Sequence, residues 1–292
     1  MHLGVARTSL AAWLDARSAG GRILLRIEDV DRARVVPGAA EGLVEDLRWL
    51  GLDFDGPIVT QSQRYPLYEA AIARLSAQGR IYPCTCSRRE IALASAPHGP
   101  DDEGPRYPGT CREAAAPKDG RTPALRLRTE PGDRVSCHDQ VFGSFLEDVH
   151  ERVGDFILRR SDGLWAYQLA VTVDDLEQGV TRVVRGSDLL GSTARQALLR
   201  RLLDPEAAPL ETLHVPLVRG ADGARLAKRH GAPTIAERRA MGHTPQQIIG
   251  FLAASLGLIP AGNSVNPQDL LPLWDPRRLS QDDTVLEEAP AP

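Results

Sequence analysis

Leu25-Arg26-Ile27-Glu28-Asp29-Val30-Asp31 follows directly on Ile23-Leu24. An apolar run thus ends in three acids within four residues, the pattern of a buried strand whose carboxyl end meets solvent. In open α/β sheets, ligands bind in the crevice outside those carboxyl ends. A carboxylate there can hold a ligand's ammonium group by a charge-assisted hydrogen bond. On its own the run is equally a solvated turn, so its weight depends on its surroundings.

Working outward, His2 to Ser18 places Leu3, Leu10, Ala11 and Leu14 on one helical face and stops near Gly20-Gly21. Pro37 opens a helix through Leu43, Leu47 and Leu50 that Gly51 ends, and another spans Pro66 to Gln78 before Gly79. Between about 81 and 125, cysteines, prolines and glycines replace periodicity. An insertion there needs something other than an apolar core to hold it. Strand-like runs return at Ala124 to Leu127 and Asp155 to Arg159, and the apolar runs Tyr167 to Val173 and Val180 to Val184 follow. A helix from Ser192 to Leu203, a strand at Leu213 to Val218, a basic loop over Arg219 to Arg229 and a helix over Pro245 to Leu256 complete the series. The acidic, proline-rich tail is expected to be disordered. This alternation predicts an α/β fold.

A chain of 292 residues can form one large domain or two smaller ones, and 42% hydrophobic with 25% charged residues is an ordinary globular balance. The formal net charge of −4 provides no global attraction for nucleic acid, so any RNA contact must come from local patches. No apolar run approaches the roughly 18 residues of a membrane span, and a cytoplasmic location is expected. Cys84 and Cys86 stand too close for an ordinary structural disulfide, and with Cys111 they point to metal. Zinc takes four ligands, so the fourth is Tyr107, His98 or an acid. Cys137 lies apart from this group and is expected to pack in the core.

Two further patterns concern phosphate. Met1-His2-Leu3-Gly4 runs into a helix whose first N–H groups attract anions, and a glycine there admits a close ligand. Arg225-Leu226-Ala227-Lys228-Arg229 forms a basic loop, and a lysine near a phosphoryl centre stabilises charge that grows in the transition state.

Together these stretches resemble the catalytic core of the class I aminoacyl-tRNA synthetases, in the glutamate branch. His2-Leu3-Gly4 resembles the start of that class's HIGH motif, and Arg225 to Arg229 occupies the place of its KMSKS loop. The run from Leu25 to Asp31 is similar to the glutamyl subgroup's strand. Gln61-Ser62-Gln63-Arg64, Gly154 to Arg160, Tyr167-Gln168-Leu169-Ala170 and Val183-Val184-Arg185-Gly186 add ordered matches. The likeness runs from residue 2 to about 255. Because the chain ends soon after the core, it resembles a short paralogous group that attaches glutamate to queuosine in tRNA(Asp).

The resemblance implies a Rossmann-like α/β core with an inserted zinc-binding subdomain and a short helical C-terminal part. The expected divisions are 1–80 and 161–232 for the two halves of the catalytic domain, 81–160 for the insertion, 233–280 for the helical part and 281–292 for the tail. It implies Cys84, Cys86, Tyr107 and Cys111 as ligands of one structural Zn²⁺. Glu28 is expected to hold the ammonium of glutamate, with Tyr167 and Arg185 on the rest of it. His2, Gly4 and Lys228 are expected to be catalytic and to handle ATP, with Mg²⁺ as its companion. The expected partners are glutamate, ATP and queuosine-bearing tRNA(Asp), the adenylate forming without tRNA on a monomeric protein. Charging of tRNA(Glu) and an inactive RNA-binding relic are the alternatives. Arg182, Arg195, Arg200, Arg201, Arg229, Arg238 and Arg239 are candidate RNA contacts.

Two departures stand out. Relatives carry an Arg-x-Ala-Pro-Ser-Pro-Thr-Gly-type strand before the histidine, and its arginine is expected to bind the substrate carboxylate. The sequence opens after that motif, so this form is expected to bind glutamate poorly. Ala227 also stands where the family often has serine.

Overall fold

Helix α1, Leu3–Ser18, begins where His2 turns its imidazole back to accept the Val5 N–H at 3.3 Å, a side-chain N-cap. Gly4 permits this, because a Cβ at that position would meet the His2 ring at 3.2 Å. Leu3, Ala6, Leu10, Ala11 and Leu14 are buried, and each leucine removed from water contributes about 2 kcal/mol. The computed structural model describes residues 1–87, 89–91, 106–113, 120–220 and 234–285.

Of the run Ile23 to Ile27, β1 comprises Arg26–Ile27 and pairs in parallel with β2, Val59–Thr60. The extended backbone continues upstream, since Ile23 and Leu25 carbonyls accept from Asp55 and Val59. Helices α2, Ala39–Trp49, and α3, Tyr65–Ala77, end within two residues of the positive-φ glycines Gly51 and Gly79.

Strands β3, Ile81–Cys84, β4, Ala124–Leu127, and β7, Ile157–Arg159, form an antiparallel sheet. Between the latter two come β5, Arg134–Asp139, β6, Gly143–Asp148, and the single turn α4, Val149–Arg152. The β5–β6 hairpin is the largest element absent from the sequence expectation. Its signal is the alternation of exposed and buried residues along Arg134–Asp139.

The apolar run at Tyr167 is helix α5, Tyr167–Glu177, buried from Leu169 through Asp175. Then follow β8, Arg182–Gly186, α6, Thr193–Leu203, and β9, Glu211–Val215. The four-stranded sheet has the order β6-β5-β9-β8, parallel except for the β5–β6 hairpin. Neither β1 nor β2 pairs with it, and a groove of about 1050 Å³ separates β1 from β8. Helices α7, Ile235–Ala240, and α8, Pro245–Ser255, each begin in a capping box. They pack on α1 in one apolar core, while α3, α5 and α6 build a second, which includes Cys137.

The tail departs from expectation. Strand β11, Thr284–Val285, pairs in parallel with β10, Val218–Arg219, so order extends into the segment assigned to the disordered tail. The Asp283 carboxylate holds the two together by accepting from the Leu217 N–H at 2.9 Å and Arg219 Nε at 2.6 Å.

Asp174 of α5 is fully buried and accepts from Gln61 Nε2 (2.8 Å), the Tyr68 hydroxyl (2.8 Å) and Arg64 Nε (2.6 Å). Its removal strands the Arg64 charge and leaves two neutral donors without their acceptor. Asp174→Ala is expected to lower stability by about 3 kcal/mol or more. Urea unfolding followed by circular dichroism measures this, and Asp174→Asn, which keeps the shape, should fall between it and the wild type.

Candidate active site

The charged end of β1 faces the groove, and each acid of its signature does a different task. Asp29 Oδ1 accepts from the Ser62 N–H at 2.8 Å, fixing the turn from β2 into α3. Asp31 pairs with Arg34 at 3.3 Å and Arg160 at 3.5 Å. Glu28 alone lines the groove, with its side chain 40% exposed.

Arg26 organises the acids beside it. One terminal nitrogen reaches Asp175 at 2.8 Å and Glu28 Oε1 at 3.3 Å, and the other donates to Gln178 Oε1 at 2.9 Å. Protein walls around the Glu28 carboxyl push its pKa upward, Arg26 pulls it down, and Asp175 and Asp174 add to the upward push. The net effect is upward. Burial raises Asp175 as well, against the same arginine. An anionic pocket of this kind attracts a cationic group such as an ammonium.

Tyr167, at the first position of α5, and Arg185, on β8, line the same groove as Glu28. The structure thus brings together the three residues expected to hold glutamate. Burial raises the Tyr167 phenol, as does the charge of Glu28, with Arg185 opposing both. Arg185 is itself buried and donates to three neutral acceptors: His214 Nε2 at 3.0 Å, Gln196 Oε1 at 2.6 Å and Thr193 Oγ1 at 3.0 Å.

His2 lies elsewhere, in a second cleft of about 740 Å³ with Asp46, Thr234 and Arg239. Gly4 lies two residues on, in the first turn of α1. Of the basic loop Arg219 to Arg229, the part from residue 221 onward, with Ala227, Lys228 and Arg229, lies outside the described residues, as does His98. Among the candidate RNA contacts, Arg238 is buried and unsuited to the role. Arg182 pairs with Asp15 at 2.9 Å and Glu211 at 2.6 Å, and Arg239 with Glu45 at 2.9 Å.

The sulfurs of Cys84, Cys86 and Cys111 all lie within 4.8 Å of one another, a set that can hold a metal ion. The Tyr107 hydroxyl stands 3.4 Å from Cys84 Sγ and 3.6 Å from Cys86 Sγ. Burial opposes a thiolate at Cys111, yet hydrogen bonds from Tyr107, the Thr85 backbone and the neighbouring thiols bring its pKa down to about 7. Arg126 stacks on the Tyr107 ring at 3.8 Å. Asp155 anchors this knob from below, accepting from Tyr82 at 2.6 Å, from Arg112 Nε at 2.9 Å and from the Thr129 N–H at 2.8 Å.

Residues 1–264 match the family described as tRNA synthetases class I (E and Q), catalytic domain. The chain belongs to this family. Among relatives of this class I synthetase, the Glutamyl-Q tRNA(Asp) synthetase of Symbiobacterium thermophilum is 50% identical, the alignment covering 97% of the chain and 91% of the relative. The protein of the same name from Nocardia farcinica is 49% identical over 99% of the chain and 90% of its own length. In three dimensions the synthetase is similar to a glutamate tRNA ligase from Elizabethkingia meningosepticum, solved in complex with its amino acid. The TM-score is 0.80 at 26% identity, covering 99% of this chain. It spans 65% of that ligase's length.

Sequence reasoning missed Asp174, Asp175, His214 and Asp139. Their signal was polarity inside apolar runs, as in Leu213-His214-Val215, where a buried side chain must find a partner.

Asp139 and Asp155 set a pH dependence. Burial disfavours both carboxylates, but hydrogen bonds outweigh it and hold each below the usual 3.8, from His214, Phe142 and Val141 at Asp139 and from Arg112, Tyr82 and Thr129 at Asp155. The stability they contribute is complete above the unfolded value and is lost as pH falls through the folded ones. Urea midpoints are expected to drop as pH falls below the ordinary carboxylate value of 3.8, and Asp155→Asn should flatten part of that slope.

Proposed function

We propose that this synthetase activates glutamate with ATP, in the absence of tRNA, and transfers it to queuosine at the wobble position of tRNA(Asp). The observation that carries this is the 50% identity, over nearly the whole chain, to a relative named for that reaction. The groove agrees with the substrate's chemistry. Glutamate brings one ammonium and two carboxylates, and the groove is lined both by the acids Glu28 and Asp175 and by the cationic Arg185.

In the first step an oxygen of the α-carboxylate attacks the α-phosphorus of ATP. A phosphorus–oxygen bond forms, the bond to the β-phosphate bridge breaks, and pyrophosphate leaves; Mg²⁺ bound with ATP would neutralise part of the phosphate charge. The chain's part is to position the reactants and stabilise developing charge. Glu28 holds the ammonium, and Tyr167 and Arg185 take the side-chain end. His2 and Gly4 at the start of α1, with Lys228 of the basic loop, act on ATP. In the second step a queuosine hydroxyl attacks the acyl carbon and forms the ester bond, the acyl–phosphate bond breaks to release AMP, and the hydroxyl proton passes to the departing phosphate or to solvent.

Cys84, Cys86, Tyr107 and Cys111 hold one structural Zn²⁺. Three thiolates and a phenolate supply the four donors that the ion takes, and the small cluster they form has little apolar core besides. The domain divisions at about 80, 160 and 232 and a monomeric, cytoplasmic protein belong to the same reading.

Glutamate-dependent ATP–pyrophosphate exchange without tRNA, followed by acyl transfer to queuosine-containing tRNA(Asp), tests the activity. Transfer to tRNA(Glu) instead would overturn it. Lys228→Ala is expected to slow exchange by roughly 10² or more while leaving unfolding unchanged. Elemental analysis is expected to return close to one zinc per chain. Chelation should speed proteolysis between residues 81 and 125, and an unchanged cleavage rate after zinc loss would remove the structural role.

A further inference from the structure

Arg185, which is buried, stands apart from the half-buried guanidiniums of Arg26 and Arg64. Arg26 pairs with Asp175 and Arg64 with Asp174, whereas the direct side-chain acceptors of Arg185 are a histidine nitrogen, an amide oxygen and a hydroxyl. A guanidinium has five N–H groups and no acceptor. Three of these are spent, one on each nitrogen, and the Tyr167 hydroxyl also hydrogen-bonds the guanidinium on the groove side.

The bond to His214 settles the state of its imidazole. Nε2 lies 3.0 Å from Arg185 Nε, which can only donate, so Nε2 carries no proton. The proton then sits on Nδ1, 2.6 Å from Asp139 Oδ2. Asp139 is fixed in turn. The same Oδ2 accepts the His214 backbone N–H at 3.0 Å, and Oδ1 accepts from Val141 at 3.0 Å and Phe142 at 2.8 Å. Asp139 ends β5, His214 is on β9 and Arg185 on β8, so three neighbouring strands hold the chain of bonds in register. All three side chains are buried, His214 and Asp139 completely.

We infer that His214, set in its tautomer by Asp139, is a positioning residue that aims Arg185 at the side-chain carboxylate of the substrate and so selects glutamate over glutamine. This rests on the glutamate-activating function proposed above. An acceptor at Nε2 anchors the guanidinium without neutralising it. A carboxylate partner in the same place would cancel the charge that attracts an anionic substrate. The unprotonated nitrogen also cannot donate, so it does not compete for the substrate. A guanidinium presents donors only, so a carboxylate can accept with both oxygens, whereas a glutamine amide offers one oxygen and turns its NH2 group toward the second donor.

Three variants and one spectrum test this. His214→Leu removes the acceptor, His214→Gln restores one, and Asp139→Asn removes the tautomer lock at nearly constant size. In ATP–pyrophosphate exchange, His214→Leu is expected to raise KM for glutamate by about tenfold or more, with kcat and KM for ATP nearly unchanged. Discrimination against glutamine should fall with it. His214→Gln should recover most of the loss, and Asp139→Asn should fall between. Nitrogen-15 spectra of the wild type should show a pyridine-type Nε2 and a protonated Nδ1. An active His214→Leu variant with unchanged glutamate KM, or a protonated Nε2, would overturn the inference while leaving the activity standing. A wild-type chain with no glutamate-dependent exchange would overturn both.

Discussion

The buried carboxylate of Asp174 is the constraint on which the pocket depends. A charge without solvent is tolerated only when its lone pairs are filled, and here Gln61, Arg64 and Tyr68 fill them from the segment that follows β2. The acid itself is on α5, more than 100 residues later in the chain. One group therefore ties the β1–β2 pair to the helix that presents Tyr167. Its neighbour Asp175 turns to Arg26, so adjacent residues hold the support and the acidic wall of the groove.

Charge is distributed along the groove by the same logic. Glu28 and Asp175 share one arginine, leaving an excess of negative charge. Arg185, in the lining of the same groove, is held by neutral acceptors and keeps its positive charge. Coulomb interactions weaken in water and strengthen where protein replaces it, so these half-enclosed charges orient a zwitterionic ligand better than exposed ones would. The thiol cluster lies on the β3–β4–β7 sheet, outside this groove, and does a different task. It gathers an insertion whose described residues form only a small apolar cluster, and Asp155 clamps its base through Arg112, Tyr82 and Thr129.

Much of this was legible in the chain. Helix α1 lies within one residue of its expected start because apolar spacing and the Gly20-Gly21 stop leave little freedom. The same holds for α3 and α8. The β5–β6 hairpin was not legible, since its turn lacks the Asn-Gly or Asp-Gly pair that marks short hairpins. Tail pairing at Thr284–Val285 escaped notice for a related reason. Two residues have no periodicity, and their order comes from Asp283 and a strand some 65 residues earlier.

The sequence by itself determined the α/β class, the acid-rich end of β1, and the residue types assigned to metal, ammonium and carboxylate. These are local properties, carried by spacing and by the chemistry of single side chains. Only the tertiary structure decided which of three acids in Glu28-Asp29-Val30-Asp31 faces the groove, because Asp29 and Asp31 are consumed by partners distant in sequence. Only it placed Glu28, Tyr167 and Arg185 along one groove and put His214 and Asp139 behind the last of them. The physical reason is that a buried polar group must be satisfied by whatever the fold brings within about 3 Å, and the order of residues along the chain does not say what that will be.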